Sequence, residues 1–387
     1  MTLRPPRILD SITRIDAAQW NALAGGGQPF VRHEFLAALE QSGAASPSSG
    51  WQPRHLLLED AARCPVAALP LYGKMHSRGE FVFDFSWANA YTQHGLSYYP
   101  KLITAVPFTP VTGPRLLLHP AAPPGTTAAL IEAGLEYARS EGVSSWHVLF
   151  PDDSAGDALE RVGMVPRRDC QFHWFNQGYE SFDHFLASFT AEKRKKAKRE
   201  RRRVTEAGIR FETRHGGDMD DALWTTVYEF YADTFYRHGH DPYLSLQFFR
   251  RVAAALPEAV MLKIAMLGHE PIAVAIFFVG SDALYGRYWG AGGTYHSLHF
   301  ETCYYQGIEY CIERGLKRFE PGTQGEHKVP RGFVPTITRS AHFIADPRFA
   351  AAIRDFAKRE ARGVAHYAAA VNEHVPYNAG AMQELEL

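Results

Sequence analysis

Residues 298–333 read LHFETCYYQGIEYCIERGLKRFEPGTQGEHKVPRGF, and three kinds of order follow one another along them. Phe300, Cys303, Tyr304, Gly307, Ile308 and Cys311 recur at helical spacing, which predicts a helix with one apolar stripe. Gly307 in mid-helix predicts close packing on a sheet, while Glu301 and Tyr305 fall off the stripe. LKRFEP then predicts a strand that ends at Glu320 and is stopped by Pro321. Beyond it Gly322 and Gly325 free the backbone for a tight loop carrying Gln324, Glu326, His327, Lys328 and Arg331.

Working outward, this helix and strand close a longer series. GIRFETR reads as a strand, and DALWTTVYEFYADTFYRHG and LSLQFFRRVAAAL read as helices. AVMLKIAML, EPIAVAIFFVG and ALYGRYWG read as three strands before the helix and strand already described. The first half runs in the same order. RILDSI is followed by helices at DAAQWNALAG and FVRHEFLAALEQSG, and by strands RHLLLED, CPVAALPLYGKM and EFVFDFSW. After an extended Pro-interrupted stretch come a helix, GTTAALIEAGLEYARSEG, a strand, SSWHVLF, a short helix, DALERVG, and a strand near DCQFHWF. Two occurrences of one pattern imply a duplicated α/β unit. The chain of 387 residues is also longer than one core usually organises. The expected domains are residues 1–178 and residues 179–387, the second led by a basic helix and ending in a helical extension.

Composition is that of a soluble globular protein, with 46% hydrophobic and 21% charged residues and a net charge of −1. No apolar run approaches the roughly 18 residues of a membrane span, and the N-terminal residues have no export signal, so the expected location is the cytoplasm. The four cysteines, at 64, 170, 303 and 311, lack zinc or disulfide spacing and read as reduced thiols. His238, His240 and Asp241, in HGHD, read as a polar turn, so no metal site is expected.

Two further stretches concentrate chemistry. EKRKKAKRERRR, residues 192–203, places nine Lys and Arg in twelve positions. Ser181 is the expected N-cap of a helix leading into it, with a restart at Thr190. Such a run is either a solvated helix face or a surface for a phosphate-rich partner, which relieves the like-charge repulsion and gains affinity from released counterions. Lys195, Lys196, Arg199 and Arg202 are the candidate contacts. No aromatics interleave them and no DNA-reading motif is present, so folded RNA or a nucleotide-linked substrate fits better than DNA. In DFSWANAYTQHGLSYYPK, residues 84–101, Asp84, Trp87, Asn89, Tyr91, Tyr98 and Lys101 combine stacking surfaces with polar groups, as a substrate pocket does.

The loop after Glu320 holds a kit for acyl transfer to an amine. Glu326 or His327 is the candidate base, Gln324 offers a donor amide, Glu320 at the strand end joins them as a candidate, and Lys328 and Arg331 would hold anionic groups. Tyr305 and Glu301 are further candidate substrate contacts. The competing reading is a non-catalytic module that binds a cell-wall precursor or RNA.

FVFDFSWANAYTQHGLSYYPKL and the block at 298–333 resemble the FemAB-like (peptidoglycan biosynthesis/recognition) family. The duplicated order resembles the GCN5-related N-acyltransferase superfamily. The resemblance implies two tandem acyltransferase-like domains with mixed sheets, in a bacterial cytoplasmic enzyme. It also implies transfer of an aminoacyl or acyl group to an amine, with a peptidoglycan precursor as acceptor and aminoacyl-tRNA or acyl-CoA as a co-substrate that is not tightly bound. Acyl-CoA-using relatives carry an R/Q-x-x-G-x-G/A loop, whose letters Arg287, Gly290 and Gly292 match in RYWGAG, although ALYGRYW itself reads as strand.

Overall fold

The computed structural model describes residues 3–323 and 325–384. The chain forms two compact units: the first runs through Asp169 and resumes over Ile337–Ala365, and the second takes Cys170–Thr336 and resumes at His366.

The first unit begins with β1 (Arg7–Leu9), α1 (Ala17–Ala24), α2 (His33–Gln41), β2 (Trp51–Pro53), β3 (His55–Glu59), β4 (Pro65–Leu69) and β5 (Leu71–Lys74). The stretch expected as one strand, CPVAALPLYGKM, is therefore two. Pro70 lies between them, and a residue without an N–H interrupts the ladder. β4 joins the sheet β1-β3-β4 while β5 pairs with β2. Next come α3 (Phe85–Gln93), β6 (Lys101–Thr104), β7 (Leu117–Leu118), α4 (Thr126–Ser140), β8 (Ser145–Leu149), α5 (Asp153–Arg161) and β9 (Val165–Phe175), the last crossing into the second unit.

EFVFDFSW, expected as a strand, is a loop that enters α3. Phe81, Phe83 and Phe85 imitate the period of two, yet Phe83 and Phe85 are exposed. The buried pair is Trp87 and Tyr91, one helical turn apart, and it fixes the helix. β6 and β8 pair in parallel, Ile103 opposite His147, after an antiparallel run β2-β5-β6.

The second unit continues with α6 (Phe182–Ala187), α7 (Ala191–Glu206), β10 (Ile209–His215), α8 (Asp221–Arg237) and α9 (Leu246–Ala255). Ser181 caps α6 through the N–H of His184, and the chain restarts at Thr190 as expected. β11 (Val260–Leu267), β12 (Glu270–Val279) and β13 (Ala283–Ala291) form an antiparallel run with β10, and β13 then pairs in parallel with β14 (Arg318–Glu320). Between them lie α10 (Leu298–Phe300), a π-helical turn (Glu301–Tyr305) and α11 (Gln306–Arg314). Phe319 of β14 would lie 2.5 Å from a Cβ on Gly307, so the mid-helix glycine does serve close packing.

A 3₁₀ turn, Glu326–Arg331, leads into β15 (Val334–Ile344), which returns to the first unit and pairs antiparallel with β8, and then into α12 (Pro347–Asn372). Both units are mixed α/β, and each leads antiparallel strands up to one parallel pair.

Candidate active site

β13 and β14 share three register pairs, from Ala283 with Arg318 to Tyr285 with Glu320, and then part. β13 continues from Gly286 to Ala291, while Pro321 turns the other chain away. A Cβ on Gly286 would still meet Pro321 Cα at 3.2 Å, so the separation starts there. Lys328 of the following turn donates to the carbonyl of Gly322 just past this point, and His327 beside it meets Tyr304 of the π-helical turn.

The π turn gathers the site. A turn closed by i→i+5 bonds holds an extra residue, so the positions that face inward shift after it. Glu301 and Tyr305, off the stripe on a regular helical wheel, are both buried here. Glu301 accepts from Arg201 and from Gln306, and Arg201 also reaches Glu309 at 2.8 Å. Tyr305 donates to Glu200 Oε2 at 2.7 Å. Neither side chain faces solvent as a substrate contact would.

Glu200 is the acid inside the basic run. Ala197, Glu200 and Val204 are its buried positions, whereas Lys195, Lys196, Arg199 and Arg202 are exposed. The buried face of α7 thus runs through Ala197, Glu200 and Val204. Arg331 gives Glu200 two hydrogen bonds, Nη2 to Oε1 at 2.8 Å and Nε to Oε2 at 3.1 Å. Its Nη1 donates to the carbonyl of His327, and its guanidinium lies 3.4 Å from the centre of the Phe300 ring. Arg331 is therefore engaged on every side by the protein, and a substrate anion would have to compete with Glu200.

His327 lies at the surface, its Nε2 2.8 Å from the hydroxyl of Tyr304. Gly325, at φ +106, makes room for this ring, because a Cβ there would come within 2.1 Å of it. Partial burial, then Lys328 and Arg331, depress the His327 pKa, so the imidazole is neutral and able to accept a proton at neutral pH. Behind it, burial, then His327, Arg331 and Lys328, hold His299 down to about 4. Glu326 is exposed and accepts from Tyr367 at 2.8 Å.

Lys328 is buried, and its Nζ donates to Gly322 O at 2.6 Å; burial lowers its pKa to about 7, with Arg287 adding to the effect. As placed, it cannot touch a substrate anion. Glu320 is buried and accepts from Arg318 at 3.0 Å, with His173 4.0 Å away. Gln324 lies outside the described residues.

Gly290 and Gly292 have another task than cradling a pyrophosphate. A Cβ at Gly290 would lie 2.1 Å from the carbonyl oxygen of Phe230 in α8, and one at Gly292 would lie 2.9 Å from the Phe230 ring. Both glycines let α8 pack on the end of β13, and the next helix begins only at Leu298.

In the first unit, Asp84, Trp87, Tyr91, Tyr98 and Lys101 come together, while Asn89 lies on the exposed face of α3. Asp84, Tyr98 and Lys101 belong to a sealed network rather than an open pocket. Lys101, wholly buried, donates to Ser77 at 2.9 Å, to Glu80 at 2.8 Å and to Asp84; Tyr98 donates to Asp84 at 2.6 Å. Burial would raise the Asp84 pKa, but Lys101 and His147 outweigh it and hold it at about 2, whereas burial lifts Glu80 to about 7. His147 and His342 share a hydrogen bond between their Nδ1 atoms at 2.6 Å, and burial keeps both neutral. Of the expected contacts, Trp87 lines a cavity.

Among the described residues, no group of three His, Cys, Asp or Glu is placed to hold a metal ion, and His238 bonds to Thr234 O at its helix end. Among the described residues, no helix is long and apolar enough to cross a membrane. Glu200, Arg201, Tyr304 and His299 carry the geometry here without having been singled out. For Glu200 the available signal was an acid in register with Ala197 and Val204.

Solved structures share this fold across nearly the whole chain. The C-terminal domain (DUF2156) of a protein described as a lysylphosphatidylglycerol synthetase from Agrobacterium fabrum superposes with a TM-score of 0.54 at 9% identity, covering 91% of this chain and 97% of that one. FemX gives 0.54 at 12% identity, covering 88% and 98%, and L-PGS from Bacillus licheniformis gives 0.51 at 8%, covering 87% and 98%. At such identities the likeness concerns the fold alone, a mixed α/β fold matched over most of both chains. No curated protein sequence matches the chain. The profile of the FemAB-like family, described as peptidoglycan biosynthesis/recognition, matches residues 11–379. With that match over almost its full length, the chain belongs to the FemAB-like family.

Proposed function

We propose that this protein is an N-acyltransferase of the cytoplasm, which moves an aminoacyl or acyl group to the amine of a peptidoglycan precursor at the opening between β13 and β14. The observation that carries the reading is the neutral His327, held by Tyr304 beside the point where the two strands part. In the tautomer whose Nε2–H is donated to Tyr304, the Nδ1 lone pair is available. The acceptor amine attacks the donor's carbonyl carbon and forms the C–N bond, and Nδ1 takes the amine proton. The ester C–O or thioester C–S bond breaks, and the proton passes to the leaving oxygen or sulfur.

Aminoacyl-tRNA is the favoured donor over acyl-CoA. Lys195, Lys196 and Arg199 are exposed and make no ion pair among the described residues, as a phosphate-binding face requires. Gly290 and Gly292, by contrast, are committed to α8. The test offers the purified protein charged tRNAs or acyl-CoAs, together with amine-bearing wall precursors, and follows product by mass. Transfer from charged tRNA that His327→Ala abolishes supports the proposal; transfer unaffected by that change rejects the assignment of the base.

A further inference from the structure

The first unit has a cavity of about 510 Å³ between α3 and the first half of α12. That volume lies within the range of ligand pockets, roughly 300–1,000 Å³. Trp87 and Ala90 of α3, Leu96 after it, and Phe349, Ile353 and Phe356 of α12 make most of its surface apolar. Leu96 and Phe356 are both exposed, and Phe83 and Phe85, 54% and 47% exposed, stack on each other at the approach to α3. Large apolar side chains left in water together mark a surface that meets an apolar ligand or partner.

The lining also limits the ligand. Its polar side chains are Ser86, His94, Arg348 and the indole of Trp87, whose buried Nε1 has no hydrogen-bond partner, and His94 already uses Nδ1 on the carbonyl of Ala90. A nucleobase or peptide would leave several donors and acceptors unpaired there, each at a cost, whereas an alkyl chain has none to satisfy. The charge at the mouth selects the other end of the ligand. Arg348, 79% exposed at its side chain, supplies the positive charge of the lining. Asp346 holds Arg348 through Nε and Nη2, which leaves Nη1 for a further anion.

We infer that this cavity binds one molecule of a single-chain amphiphile, its alkyl chain along Trp87, Ile353 and Phe356 and its anionic head at Arg348. The lining belongs wholly to the first unit, so the inference does not depend on the chemistry assigned to His327.

Calorimetric titration of the intact protein with palmitate, kept below its micellar concentration, tests it, with hexadecanol and phosphatidylglycerol vesicles as separate arms. One palmitate should bind per chain, more tightly than hexadecanol. Ala352→Trp, at an exposed lining position, and Ala90→Trp, on the facing helix, should each weaken it at least tenfold while the circular dichroism stays native. Absence of palmitate binding, or undiminished binding in both tryptophan variants, overturns the site. Binding to vesicles without uptake of monomeric palmitate also overturns it, in favour of a surface that faces a membrane.

Discussion

The carboxylate of Glu200 and the guanidinium of Arg331 meet in two hydrogen bonds, and the first of these residues lies in the middle of the most basic stretch of the chain. The pair ties α7, whose outer face is cationic, to the turn that carries His327. Removing one partner of such a buried pair strands the other charge, at a cost of about 3–5 kcal/mol. Glu200→Ala should lower stability by that order in urea unfolding, and Glu200→Ala with Arg331→Ala together should cost less than the sum of the two single changes. Additive losses would show that the two residues do not act as a pair.

His327 as proton acceptor sets a pH profile. Its folded pKa lies below 6.5, so turnover should rise with pH through that lowered value and level off by neutrality. Lys328→Met removes a positive neighbour and should move the limb to higher pH. His327→Ala should reduce turnover about 10²- to 10⁴-fold without loss of fold, and Tyr304→Phe should reduce it less. An unmoved limb in Lys328→Met would mean that another group titrates.

The outer face of α7 should dominate binding to RNA. Gln at Lys195, Lys196 and Arg199 should reduce the dependence of log K on log salt by about 0.7–0.9 for each phosphate that is no longer neutralised. Filter binding between low and moderate salt reads the slope directly, and an unchanged slope would assign the run to solubility alone.

Glu80 gives the first unit a stability that falls as pH rises. Its folded pKa, about 7, is above its unfolded value of 4.5, so the unfolded chain releases the proton first. The contribution is full below 4.5 and lost progressively up to about 7. Glu80→Gln should therefore gain on the native protein across that window and hold its advantage above it, as read by urea midpoints. A constant difference across the same window would place the titration elsewhere.

Gly290→Ala tests whether the glycines of RYWGAG bind a pyrophosphate or pack a helix. With the Phe230 carbonyl in the way, the variant should unfold at a markedly lower temperature, beyond the roughly 1–3 kcal/mol that overpacking usually costs. A variant of native stability that loses acyl-CoA binding would restore the phosphate role.

Much of the second unit was legible because its signals are local. The strands are long apolar runs, Ser181 caps its helix, and Pro321 ends β14 where the polar loop begins. The π turn was not legible, because a regular helical wheel sends Glu301 and Tyr305 outward and only the inserted residue brings them in. The α3 segment misled through its phenylalanines, which alternate like a strand. The partners of Lys101 are Ser77, Glu80 and Asp84; Asp84 was expected beside Lys101 in a pocket, whereas nothing in the local sequence marked Ser77 and Glu80. The return of β15 to the first unit depends on pairing between Ser340 and Leu149, a separation that no local pattern encodes.

That return bears on how the protein is made. Neither unit is complete until late in synthesis: the first lacks β15 and the start of α12 until residue 365 has emerged, and the second still awaits the segment from His366 that brings Tyr377 onto Phe189. A ribosome that stalls in the loop after β14 therefore holds two unfinished cores at once, with an edge of β8 uncovered. Cutting the gene at any single point should yield fragments that associate or aggregate rather than one autonomous half.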